Sequence, residues 1–123
     1  MRVICKTVLV GLGVGLWGIS MVPALAGTNL VEPNVYAYAA NAGWVNAAGD
    51  TTNGMVVGEN YCSGFIYGAN FGWVDMGDGS PVNGVNYSNA NGVDFGVNVE
   101  ADGRLRGFAY GANIGWINFE EMG

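Results

Sequence analysis

The sequence predicts an all-β protein, an antiparallel β-sandwich or barrel of about eight strands that follows an N-terminal export signal. Three observations carry this. A twelve-residue pattern occurs three times, apolar residues alternate with a period of two, and Gly, Asn and Asp recur where tight turns are needed.

The signal occupies residues 1–26. Arg2 and Lys6 give a positive start, Thr7 to Ser20 is an almost uncharged apolar run, and Pro23 breaks it before Ala24-Leu25-Ala26. This order is that of a cleavable secretory signal. The apolar run is shorter and richer in Gly than the roughly 20 residues a membrane-spanning helix needs. No second hydrophobic segment follows, so no membrane insertion is expected after cleavage. The remainder, 27–123, is expected to be one domain, secreted across the cytoplasmic membrane into the periplasm, onto the cell surface or outside the cell.

Removing the signal changes the charge. Residues 27–123 keep Arg104 and Arg106 against all ten acidic residues, a formal charge of −8, and contain no Lys or His. So acidic a chain is not expected to bind nucleic acid, which is held by Lys and Arg on phosphates. The many aromatic residues separate it from disordered acidic chains, and a packed core is expected.

The repeat cores are VYAYAANAGWVN at 35–46, GFIYGANFGWVD at 64–75 and GFAYGANIGWIN at 107–118. Tyr38, Tyr67 and Tyr110 correspond, as do Trp44, Trp73 and Trp116. Each core reads as two strands joined by a turn at Asn-x-Gly. Asn41, Asn70 and Asn113 suit a left-handed turn position, and the following Gly takes positive φ freely. Repetition of this kind marks units that share their core with their neighbours. The expected strands are Tyr36–Ala40, Trp44–Asn46, Met55–Glu59, Phe65–Tyr67, Trp73–Asp75, Val93–Glu100, Arg104–Tyr110 and Trp116–Glu120.

Asp102-Gly103 reads as a two-residue hairpin turn. That register sets Val97 opposite Phe108 and Phe95 opposite Tyr110. It gathers the large apolar residues on one buried face and leaves Gly96, Asn98, Gly107 and Ala109 on the other. The Tyr and Trp residues are therefore expected to be core. The alternative is that Tyr38, Trp44, Tyr67, Trp73, Tyr110 and Trp116 are exposed platforms for sugars. The same phase in the middle unit makes Tyr61-Cys62-Ser63 a turn, with Cys62 at an exposed tip. As the lone cysteine after the signal, Cys62 is a thiol or an intermolecular disulfide link.

The segment GFAYGANIGWINF, preceded by GVDFGVNVEADGRLR, resembles the short repeat written GYAWSENIGWINF in exported bacterial surface proteins. The resemblance covers most of 35–120. It implies an exported bacterial β protein, often part of a larger surface molecule, and it implies no activity.

Catalysis is not expected. Without His or Lys after the signal there is no Ser-His-Asp set, Schiff base or histidine metal site. Nothing in the sequence pairs two carboxylates for glycoside hydrolysis. Asp75 and Asp78, in Asp-Met-Gly-Asp-Gly-Ser, form the best local oxygen cluster for calcium. The stretch falls short of a full calcium loop, and a polar turn is expected. No other cofactor is implied. The function expected is structural or interactive, in the cell envelope or outside the cell. Self-assembly into a filament or surface layer is the leading form, with itself or other envelope components as partners. The alternative is a monomeric module that binds polysaccharide.

Overall fold

A computed structural model of the protein describes residues 27–120; the expected export signal lies outside the described residues. The described chain is all-β, with nine strands and no helix. They are β1 (Tyr36–Ala39), β2 (Gly43–Asn46), β3 (Val56–Val57), β4 (Cys62–Ser63), β5 (Phe65–Gly68), β6 (Gly72–Asp75), β7 (Val97–Val99), β8 (Leu105–Gly111) and β9 (Gly115–Asn118).

Seven strands form one antiparallel sheet in the order β1-β2-β5-β6-β8-β7, with β9 on the other side of β8; β3 and β4 form a separate two-stranded ribbon. The sheet curls into a half-barrel, neither a closed barrel nor a two-sheet sandwich.

The three sequence cores fold as hairpins with one register. Tyr38 pairs with Trp44, Tyr67 with Trp73 and Tyr110 with Trp116. Each loop is closed by an N–H three residues on: Ala42 to the Ala39 carbonyl, Phe71 to Gly68 and Ile114 to Gly111. Gly43, Gly72 and Gly115 follow at φ of 79–83°, where a side chain would be strained. Asn41, Asn70 and Asn113 do not take the left-handed conformation expected of them; Asn89 is the only described non-Gly residue that does.

Strand alternation decides the two faces. In β5, Ile66 and Gly68 are buried while Phe65 and Tyr67 are exposed. In β8, Leu105, Gly107, Ala109 and Gly111 are buried, and Phe108 and Tyr110 point the other way. The core joins Val45, Ile66, Val74 and Ala109 to Met55, Cys62, Met76, Val97 and Leu105. Thus on the hairpin strands the small and aliphatic residues face inward and the paired Tyr and Trp rings outward, opposite to the expected arrangement. Rings also reach the inner side from outside the strands: Phe71, in the second turn, packs over buried Gly68, and Phe119 packs against the same core.

Two local features shift the expected pairings. The Asp102-Gly103 turn is a three-residue loop, 101–103, closed by Gly103 N–H to the Glu100 carbonyl, with Gly103 at φ 83°. A type I turn followed by a left-handed Gly makes this loop, and it slips the register by one residue. Val97 consequently lies opposite Gly107, not Phe108. Gly107 itself stands at φ 98°, and a Cβ there would come within 2.5 Å of the Gly96 carbonyl oxygen. The paired strand starts only at Val97, so its alternation does not extend to Phe95, which meets Trp116 on the outer face while Val97, two residues on, is in the core.

The middle turn also differs. Gly58 N–H bonds to the Tyr61 carbonyl, and Val57 pairs with Cys62. Cys62 is fully buried, not at an exposed tip, so its thiol is not placed to link two chains.

Candidate functional site: the aromatic face

Pairing and alternation set six rings on one side of the sheet. Tyr38, Trp44, Tyr67, Trp73, Tyr110 and Trp116 retain between 40% and 62% of their surface exposed. Within each hairpin the Tyr and Trp rings are tilted neighbours, with centroids 5.2, 4.9 and 5.1 Å apart. A cross-strand aromatic pair adds about 0.5–1.5 kcal/mol beyond its buried area, so these rings support the hairpins without being buried.

The three pairs step across the sheet. Val45 opposite Gly68 and Val74 opposite Gly111 set each hairpin against the next with the same offset. Trp44 then lies across from Ala69, two residues along the strand from Tyr67, and Trp73 bears the same relation to Ala112 and Tyr110. Two strands sideways is about 10 Å and two residues along is about 7 Å, a diagonal step of roughly 12 Å.

Beside each pair lies a second one: Tyr36 with Asn46, Phe65 with Asp75, and Phe108 with Asn118. The polar member does the same work each time. Asn46 accepts the Ala48 N–H at 2.9 Å, Asp75 the Gly77 N–H at 2.9 Å and Asn118 the Glu120 N–H at 2.6 Å. An oxygen that accepts from the backbone two residues on is an Asx turn, which Asn and Asp make equally well. This accounts for Asp75 where the other hairpins have Asn. Asp78 caps a turn of its own through the Ser80 N–H at 2.8 Å. The two candidate calcium carboxylates thus close separate turns, and among the described residues no three His, Cys, Asp or Glu side chains cluster to hold a metal ion.

At the last hairpin the face deepens into an open depression of about 240 Å³ lined by Asn89, Ala90, Asn91, Phe95, Phe108 and Trp116. The loop between β6 and β7 builds its wall, and a buried tyrosine anchors that loop. The Tyr87 hydroxyl accepts the Gly79 N–H at 2.8 Å and donates to the Cys62 carbonyl at 3.1 Å. Its backbone N–H and carbonyl are both met by the Asn98 side chain. Burial, first among the causes, pushes the Tyr87 phenol up to about 12. Asp94 ties the outer part of the loop, accepting the Val82 and Ser88 N–H groups at 3.1 and 3.0 Å. The Ser88 hydroxyl and these N–H groups hold the Asp94 carboxyl below its usual range.

The sequence names all six platform residues but not Phe95, Asn89 or Asn91. Phe95 follows a strand pattern in the sequence, but the paired strand begins at Val97 and the pattern does not fix its side. Compared with protein-family models, with curated proteins and with solved structures, the chain finds no match in any of the three.

Proposed function

We propose that this is an exported, non-enzymatic binding module whose ordered aromatic face takes a neutral polysaccharide. One observation carries the reading: three Tyr/Trp pairs stand exposed at a constant step on one face of a single sheet. Exposed apolar surface of this extent marks an interaction site in a soluble protein. Flat rings with polar groups at their margins suit sugar rings, which offer C–H faces and hydroxyl edges. The repeated step is comparable with a disaccharide, so an extended glycan could meet successive pairs. The formal charge of −8 after the signal favours an uncharged glycan over an acidic one, by long-range repulsion. The likeness to exported bacterial surface proteins and the signal pattern of residues 1–26 support the location.

The test is retention on insoluble neutral polysaccharides, with Trp73→Ala beside the unmodified protein. Ring stacking worth about 1–3 kcal/mol, as measured for bases, predicts a fall in affinity of roughly tenfold or more while the variant stays folded. Failure of the unmodified protein to bind any neutral glycan would overturn the reading.

A further inference from the structure

The contact between successive hairpins has a donor side and an acceptor side. Asn70 donates its side-chain N–H to the Ala42 carbonyl in the preceding turn at 3.2 Å, and Asn113 donates to the Phe71 carbonyl at 3.2 Å. The amide reaches that carbonyl by lying over the next residue, Gly43 or Gly72. A Cβ on either would stand 2.6 or 2.8 Å from the incoming amide nitrogen. The Gly of each turn is thus both a conformational requirement and a socket for the Asn that follows.

The two ends of the row hold one unused half each. Asn41, in the first turn, makes no side-chain hydrogen bond among the described residues. Gly115, in the last turn, has nothing within 4 Å of where a Cβ would be. Among the described residues β1 pairs only with β2, and β9 only with β8. The inner residue of the last Trp strand also stands apart from its counterparts. Val45 and Val74 are buried, whereas Ile117 is only partly buried.

We infer that a second copy of this chain adds through β1 to the free edge of β9, continuing the sheet in the register the internal hairpins use. That register sets Ile117 opposite Ala39 of the second copy and Asn118 opposite its Tyr38. It brings the second copy's Asn41 onto the Ile114 carbonyl over Gly115. The contact is head-to-tail and leaves the same two halves unused at the new ends, so it propagates rather than closing as a dimer. It extends the aromatic row at the same step, but it depends on the edges and not on glycan binding.

The experiment is sedimentation velocity of the purified protein over a wide concentration range, with Asn41→Asp and Asn70→Asp as variants. Species larger than a dimer should grow with concentration. Asn41→Asp removes a donor that the single chain does not use, so it should weaken association about tenfold and leave the melting temperature unchanged. Asn70→Asp breaks the internal bond and should lower the melting temperature instead. The register is checked by mixing Ile117→Cys protein with Ala39→Cys protein under mild oxidation. A disulfide between them, with none when Ala37→Cys replaces Ala39→Cys, supports the register. A monomer at every concentration, association indifferent to Asn41→Asp, or no 117–39 link would overturn the inference.

Discussion

The inner and outer faces of the sheet are built from the same strands, residue by residue in alternation, and both are largely apolar. They differ in size and in exposure. Val45, Ile66, Val74 and Ala109 share one buried cluster with Met55, Cys62, Met76 and Val97, whereas, among the described residues, the Tyr and Trp rings one residue away on each strand stay exposed. Hydrophobicity alone would bury the rings, since each offers more apolar area than a Val. The hairpin strands bury their small and aliphatic residues instead, and the paired rings left outside are available for recognition.

Substitutions should separate the faces sharply. Val74 is fully buried, so Val74→Asp strands a carboxylate in the core and should abolish the folded state, read as loss of a cooperative melting transition. Trp73, one residue away and 42% exposed, should behave differently: Trp73→Ala should cost about 1 kcal/mol of stability in chemical denaturation. Equal losses at the two positions would erase the distinction. A smaller effect lies at the seams between hairpins. Asn70→Asp loses one side-chain donor to the Ala42 carbonyl and should cost about 1 kcal/mol.

The smallest effect at neutral pH concerns the loop that walls the depression. The Tyr87 phenol titrates near 10 when unfolded and at about 12 when folded. Its raised folded value means that the stability it contributes is fully present below pH 10 and is lost as pH rises toward 12. Tyr87→Phe should flatten the alkaline part of the stability–pH curve between these values, at the cost of leaving the Gly79 N–H unmet. At the acid end, the lowered Asp94 value predicts stability that is present above its ordinary value of 3.8 and lost as pH falls through the folded one.

Much of this was legible in the sequence. The three Tyr/Trp hairpins, their turns and most strand positions follow from the recurring Asn-x-Gly and the period of two. The choice of inner face was not legible, because Val35, Val45, Ile66, Val74 and Ile117 alternate with rings and both phases look apolar. A positive-φ glycine defeated the finer register: Gly103 turned a two-residue loop into three. Cys62 was misplaced because the middle turn closes at Gly58 and Tyr61, which draws the cysteine into a strand. The role of Asn in each turn depends on the neighbouring hairpin and emerges only when both are in place.

The central claim is that the tryptophans of the three hairpins face solvent. It is tested most directly by acrylamide quenching of tryptophan emission in the folded protein, with Trp17→Phe so that only Trp44, Trp73 and Trp116 report. Exposed rings predict red-shifted emission quenched almost as readily as in the unfolded chain. Blue-shifted emission, shielded until the protein unfolds, would contradict the account.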